Sequence, residues 1–407
     1  MLQLTPMRGR QVFALGLSQL VGWGALFYAL VPLQHAHAFG VPASTSSLLI
    51  TLALVVSGVV AYPVGVLLDR VGGRAVLLAG SISGVLVLLG LAISPPGWLW
   101  PLFVALGVVH ALMLYEPAFA VVTAHIPTIP ARMTALRNVT LLGGLASLVF
   151  APLTALALDA AGSRMTLLLL ALALAAVTLP SHIRMPAGPG ATRVHPRGEE
   201  PGPAPRGGRA GSTRAVFTLA LAFGVASFVA TAMLFLLLDH LAQDGVSPTQ
   251  GALVLGLTGA CQLLGRILHP ALARVRSPVV IVAIGLASQG IGAIGLLLGI
   301  LGLPLFMLAF GGGSGLLTVA RPAVVEHLFG LSGFGRTSAV VVTVAVFARA
   351  AAPAAVAVTA PFIASTSALS ALALVSLLAV PGLLLGLGHQ AGPPGDGHSV
   401  TVGNGRM

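Results

Sequence analysis

Twelve stretches of apolar residues, most of them about twenty residues long, follow one another along this chain, and they leave few ways to fold it. They lie at roughly 11–34, 47–68, 75–95, 99–122, 137–158 and 165–180, then at 215–238, 249–268, 279–300, 304–325, 337–358 and 362–388. Only 7% of the 407 residues are charged, against about 25% in soluble domains. A water-facing surface cannot be assembled from so few charges. In lipid each stretch must satisfy its backbone amides internally, so each reads as a helix. None alternates with period two, which argues against an outer-membrane barrel. The expected fold is an all-α polytopic membrane protein with twelve transmembrane helices.

Charge fixes the expected topology. All 20 basic residues are arginine. Sixteen fall in the segments that an even-numbered topology puts on one side, including Arg8, Arg10, Arg70, Arg74, Arg132, Arg137, Arg274, Arg276 and Arg336; only Arg164 falls in an opposite loop. Arg266, Arg321 and Arg349 lie within spans. By the positive-inside rule both termini are cytoplasmic. The first run is too long for a signal core and reads as a span. The net charge of +11 forms no basic stripe, so a nucleic-acid partner is not expected. Arginine-only usage with 51 Gly and 28 Pro points to a GC-rich bacterial genome, and hence to the inner membrane. The single cysteine, Cys261, excludes an internal disulfide and reads as a packing residue.

Segment 181–214 holds six prolines, seven glycines and six arginines and reads as a disordered cytoplasmic linker. It separates an N-terminal six-helix bundle, 1–180, from a C-terminal one, 215–388, followed by a cytoplasmic tail, 389–407. The halves look like a repeat. A shift from Gly40-Val41 to Gly245-Val246 also aligns His35 with His240, Gly80 with Gly285 and Gly107 with Gly312. It sets Glu116-Pro117-Ala118 against Arg321-Pro322-Ala323. Two pseudo-symmetric bundles imply a binding site near the bilayer midplane.

The loop after the second run reads Gly65-Val66-Leu67-Leu68-Asp69-Arg70-Val71-Gly72-Gly73-Arg74. It resembles the G-x-L-x-D-R-x-G-x-R loop signature of the major facilitator superfamily at every fixed position. The second-half loop is degenerate, with Gly265-Arg266 and Leu272-Ala273-Arg274. The resemblance covers the whole chain and implies secondary transport by alternating access. It also implies that Asp69, Arg70 and Arg74 gate the outward-facing state. Gly65 and Gly72 would supply a close helix approach and a tight turn. The antiporter marks of the family are incomplete. No arginine lies between Arg74 and Arg132, and Gly143-Gly144 with Pro152 only partly matches the fifth-span motif. The bacterial subgroup, marked by Gly22–Tyr28 and Leu114–Phe119, is not assigned to a substrate.

Ionisable groups inside spans cost roughly 2.5–3.5 kcal/mol or more and so are functional candidates. Glu116 is the one acid well inside a first-half span, and Arg321 holds the symmetric place in the second half. Facing each other across the cavity, they would let a carboxyl take up and release a proton as the bundles rock. A purely structural pair is the alternative. His110 is a second proton-relay candidate. Arg349, mid-span before Pro353, could bind an anion through its fork, or bond helix carbonyls. Arg266 reads as a residue that snorkels to the membrane edge. Trp23, Phe27 and Tyr28 could line the cavity, whereas Trp98 and Trp100 read as interface anchors. His35, His37, Asp239, His240 and Asp244 fall in loops and read as solvated, or as an outer gate. His-x-His is too weak for a metal site. Gly311-Gly312-Gly313-Ser314-Gly315 has no following lysine and reads as a packing stripe, not a phosphate loop.

No nucleophile–base pair appears, so no enzyme, metal or cofactor is expected. The leading expectation is proton-coupled efflux of a small organic compound by a monomer in the bilayer. The alternative is uptake or exchange of a small, monocarboxylate-like organic anion. A non-transporting membrane receptor is the remote third reading.

Overall fold

The structure, a computed structural model, describes residues 7–186 and 213–387, apart from the side chains of 129–130 and 330–336. The expected linker lies outside the described residues for most of its length, and the tail entirely so. Among the described residues every regular element is helical.

Among the described residues eleven helical segments are long and apolar enough to cross a membrane. One of them, Ala131–Ile183, is 53 residues long, about 80 Å at 1.5 Å per residue, against a hydrocarbon core of about 30 Å. It is two spans. Gly162 breaks it with φ 73 and ψ 174. The twelve spans are therefore α1 (Gly9–His35), α2 (Ala43–Val71), α3 (Gly73–Ile93), α4 (Pro96–His125), α5 (131–161), α6 (163–183), α7 (Thr213–Gln243), α8 (Pro248–Ala273), α9 (Pro278–Leu296), α10 (Gly299–Phe329), α11 (Thr337–Thr359) and α12 (Ser365–Leu387). Successive spans run in opposite directions, so Gly9 and Leu387 end on one face, called here the terminal face. The opposite one is the far face.

The halves repeat one another in backbone detail. Gly40 and Gly245, matched in the sequence, close the turns after α1 and α7 with φ 68 and 77, a conformation that a Cβ disfavours. Each half is pinned by a buried polar cluster. In the first, His182 of α6 contacts Ser18 of α1 at 2.9 Å and Ser81 of α3 at 2.7 Å. In the second, Gln289 of α9 donates to Ala226 O of α7 and, at 2.9 Å, to Ser314 Oγ of α10. In an apolar medium helices gain nothing from apolar burial alone, so such bonds and close packing hold them.

Glycines set the close packing. A Cβ on Gly256 of α8 would stand 3.0 Å from Leu148 Cα of α5, and one on Gly259 would collide with Ser147. The Gly311–Gly315 stripe packs as expected at three positions, where Gly311 and Gly315 meet α8 and Gly313 meets α9. Outward-facing apolar side chains, such as Leu301 at 93% and Leu385 at 75% exposed, form the lipid-facing surface.

The halves are joined most firmly at the far face. His35 Nδ1 of α1 meets Asp239 Oδ1 of α7 at 2.6 Å. Thr249 Oγ1 of α8 donates to Asp159 Oδ2 of α5 at 3.0 Å. The Ala354 amide of α11 donates to Thr51 Oγ1 of α2 at 3.0 Å. On the terminal side of Arg266, no hydrogen bond or ion pair crosses between the halves among the described residues. The polar bonds between the halves thus gather at the far face.

Candidate functional site

The site begins with a broken helix. α4 stops at Met113, and Leu114 is extended (φ −76, ψ −161). Helix resumes over Tyr115–His125. Pro117 explains the break, because it has no N–H to give to the Met113 carbonyl one turn back. Gln19 of α1 fills the gap, donating its Nε2 to Met113 O at 2.9 Å. The break thus puts Tyr115 and Glu116 in the first turn of a new helix, deep in the span. α1 is irregular at the same level, with a π-helical turn over Gly24–Tyr28. Such turns recur at functional sites.

Three arginines from the second half converge on this region. Arg266 comes from α8, Arg321 from α10 and Arg349 from α11, and all three are half-buried. Glu116 acts electrostatically on Arg321 and Arg349. Arg266 and Arg349 both act on Tyr28. Arg266 acts electrostatically on Tyr115 and donates through Nη1 to Thr140 O of α5 at 3.2 Å. Glu116 is exposed. It lies near enough to the opposite half to act on two of its arginines. No Glu116–arginine ion pair within 4 Å forms among the described residues, so Glu116 and Arg321 are near each other but not in contact in this conformation. The Nε atoms of Arg266 and Arg349 and the Trp23 indole nitrogen are buried without a hydrogen-bond partner.

The other residues singled out in the sequence fall in distinct places. Trp23 contacts Tyr115 with ring centroids 5.1 Å apart, so the aromatic series of α1 reaches the break in α4. Phe27 is buried between Trp23 (5.6 Å) and Tyr28 (5.2 Å). His110 is buried inside the first half, and its Nε2 donates to Leu26 O at 2.9 Å, inside the π turn. In the loop motif, Gly72 makes the turn with φ 82. Gly65 has open space around it, so the close approach expected there is not made in this state. Asp69 and Arg70 are exposed and Arg74 is half-buried; none has a polar partner on the other half among the described residues.

Two readings are corrected. Arg266 does not snorkel to the membrane edge, because Thr140 O of the first half holds its guanidinium inward. His240 is not solvated. It is buried, with Nδ1 3.0 Å from Ser365 Oγ. Tyr115 is the site residue that sequence reasoning passed over, and Arg266 the one it named but turned outward. Their signal was a span arginine matched in depth by a tyrosine adjoining the lone acid. Among the described residues no three His, Cys, Asp or Glu side chains are grouped to hold a metal ion.

Twelve spanning helices around a polar cluster between two halves define a membrane transporter. The Major Facilitator Superfamily profile matches residues 12–353, and the chain belongs to that family, one of secondary active transporters. No curated protein matches its sequence. Solved structures share the fold. A peptide transporter POT in complex with sulfate has a TM-score of 0.74 at 15% identity, covering 95% of this chain and 97% of that one. A POT family transporter in complex with 5-aminolevulinic acid has a TM-score of 0.74 at 11% identity, covering 95% and 99%. Another, in complex with a thioalcohol-conjugated peptide, has a TM-score of 0.72 at 12% identity, again covering 95% and 99%.

Proposed function

We propose that this transporter carries a small organic anion. Arg349 and Arg321 are its ligands, and Glu116 is the group that takes the coupling proton. The observation that carries the reading is the charge of the site. Arg321 and Arg349 act with one carboxylate, Glu116, and Arg266 lies with Arg349 near Tyr28, which leaves two positive charges uncompensated in the cluster. Arginine does not neutralise by losing its proton, so the balance must come from an anion. The buried, unpartnered Nε–H of Arg349 is a donor awaiting an acceptor. A carboxylate could take it together with a terminal N–H, in the bidentate manner that arginine favours.

The arginine bias of the loops supports a cytoplasmic terminal face, in a bacterial inner membrane, with the monomer as the working unit. Proton-coupled efflux of a small organic compound is the second reading. It is favoured by Glu116 standing exposed as the one acid of the site.

One assay separates the two. Purified protein is placed in liposomes holding a pH-sensitive dye and offered carboxylates, amphipathic cations and neutral metabolites. On the anion reading carboxylates move, Arg349→Ala abolishes their flux, and Glu116→Gln keeps exchange of labelled anion while losing the pH change. Flux of cations or neutral compounds alone, insensitive to Arg349→Ala, would overturn it.

A further inference from the structure

We propose that His35 is a proton site apart from Glu116, and that a proton bound there tightens the junction of the halves at the far face. The idea rests on alternating access and not on which compound is carried.

The repeat builds the contact from two unlike pairs. The shift that sets His35 against His240 also sets Gln34 against Asp239. In each pair one member is buried in its own half and the other crosses to the opposite half. His240 stays inside the second half, with Nδ1 3.0 Å from Ser365 Oγ. Gln34 stays inside the first, donating to Ser47 Oγ at 2.8 Å. The crossing members meet, His35 Nδ1 to Asp239 Oδ1, at 2.6 Å. This contact differs in kind from the other bonds that join the halves at this face. The Thr249–Asp159 and Ala354–Thr51 bonds each have a neutral donor that does not titrate. An imidazole changes its charge between about pH 5 and 8. With the proton, His35 makes a charge-assisted bond to the carboxylate, roughly twice as strong as one between neutral groups. The side chains of His35 and Asp239 are 21% and 53% exposed, so protons reach them from solution. A small pocket opens beside them, lined by Gln34, His37, Val31 and Leu238. Gln34 Oε1 is buried without a partner, an acceptor that suits a neighbouring cation.

The other ionisable groups nearby are few. The end of α1 packs on α2, α7 and the α5–α6 pair. On α2 the first ionisable residue after the far end is Tyr62. From α5 and α6 come Asp159, which accepts from Thr249, and the exposed Arg164. Beyond His240, Asp244 lies towards Gly299 at the start of α10. His37, exposed in the turn after α1, is the other titratable group on the first-half side of the pocket. Among the described residues Asp239 is the one acid within 4 Å of His35. The contact exists only while the halves are joined at the far face. A proton that strengthens it therefore shifts the equilibrium towards the far-closed state, and its loss at higher pH favours the far-open state.

The test reads conformation without substrate, in a Glu116→Gln background that removes the other proposed proton site. Spin labels go on Ile93→Cys of α3 and Ser367→Cys of α12, exposed at the far ends of different halves, with Cys261→Ala to leave no other thiol. Electron–electron distance measurements then give the ratio of far-closed to far-open protein. Between pH 8 and pH 5 that ratio should rise about five-fold, the worth of a partly exposed charge pair. His35→Gln and Asp239→Asn should each lower the ratio at pH 5 and abolish its dependence on pH, whereas His37→Gln should keep the rise. If His35 were only structural, His35→Gln would lower the ratio equally at every pH and leave the rise intact. That result would overturn the proposal, as would a ratio that stays flat or falls on acidification, or a rise lost in His37→Gln alone. The cargo and the role of Glu116 are read from flux, so neither outcome bears on them.

Discussion

Arg349 holds a fixed positive charge in the middle of α11, with its Nε–H buried and unpartnered. If that donor serves a carboxylate, lysine will not replace it, because an ammonium offers a point charge and no fork. Arg349→Lys is expected to raise KM for the transported anion roughly 10- to 100-fold, the equivalent of ~1.5–3 kcal/mol for a charge-assisted bond, with a smaller change in maximal rate. Initial uptake rates over a concentration series check this. Gln19 makes a different kind of claim, since it is fully buried and its amide caps a backbone carbonyl. Gln19→Leu leaves Met113 O without a partner and should destabilise the protein by about 1–3 kcal/mol, read from unfolding in detergent.

At this scale the sequence shows charge but not direction. Glu116, Arg321 and Arg349 stood out because lipid makes any ionisable group conspicuous. Arg266 stood out too, yet its distance from the span's end favoured an outward reading. Only the tertiary acceptor Thr140 turns it inward, and residues 126 positions apart do not announce each other.

Among the elements, the twelve spans were legible because a bilayer leaves apolar stretches one solution. Their breaks were not. Pro117 and Pro322 occupy matched places in the repeat, yet α4 is broken at Leu114 while α10 stays helical around Pro322. Proline removes a donor in both. Whether the chain breaks depends on what else can satisfy the freed carbonyl, and in the first half Gln19 does. This has a measurable consequence. In Pro117→Ala the restored amide can reach Met113 O, so Gln19→Leu should cost less there than in the native background. A double-mutant cycle should give a coupling of about 1 kcal/mol or more. Additive losses would mean that Gln19 and Pro117 are not linked through that carbonyl.

For the whole molecule, the two faces are held by different chemistry, and only one set of contacts is engaged. At the far face the His35–Asp239 contact, the Thr249–Asp159 bond and the Thr51–Ala354 bond join the halves. At the terminal face the Asp69-Arg70 loop is exposed and has no cross-half polar partner among the described residues. Alternating access requires the far contacts to be released in the other state, and the loop motif implies that Asp69 is engaged there. Substitutions at the two faces should therefore push one equilibrium in opposite directions. Asp239→Asn weakens the contact to His35 and should favour far-open protein. Asp69→Asn removes a contact that exists only when the terminal face is shut, and should favour the conformation described here. Each shift is expected at about 1 kcal/mol, within the span of measured charge pairs that are partly exposed. Reactivity of a far-face cysteine with a membrane-impermeant maleimide reads both, rising in Asp239→Asn and falling in Asp69→Asn. The double variant should return near the parent value, because the two contacts are never made at once and their effects on a single two-state equilibrium add. Equal changes of the same sign in both variants would mean that the loop acts in the same state as the His35–Asp239 contact, and the reciprocal picture of the two faces would fall.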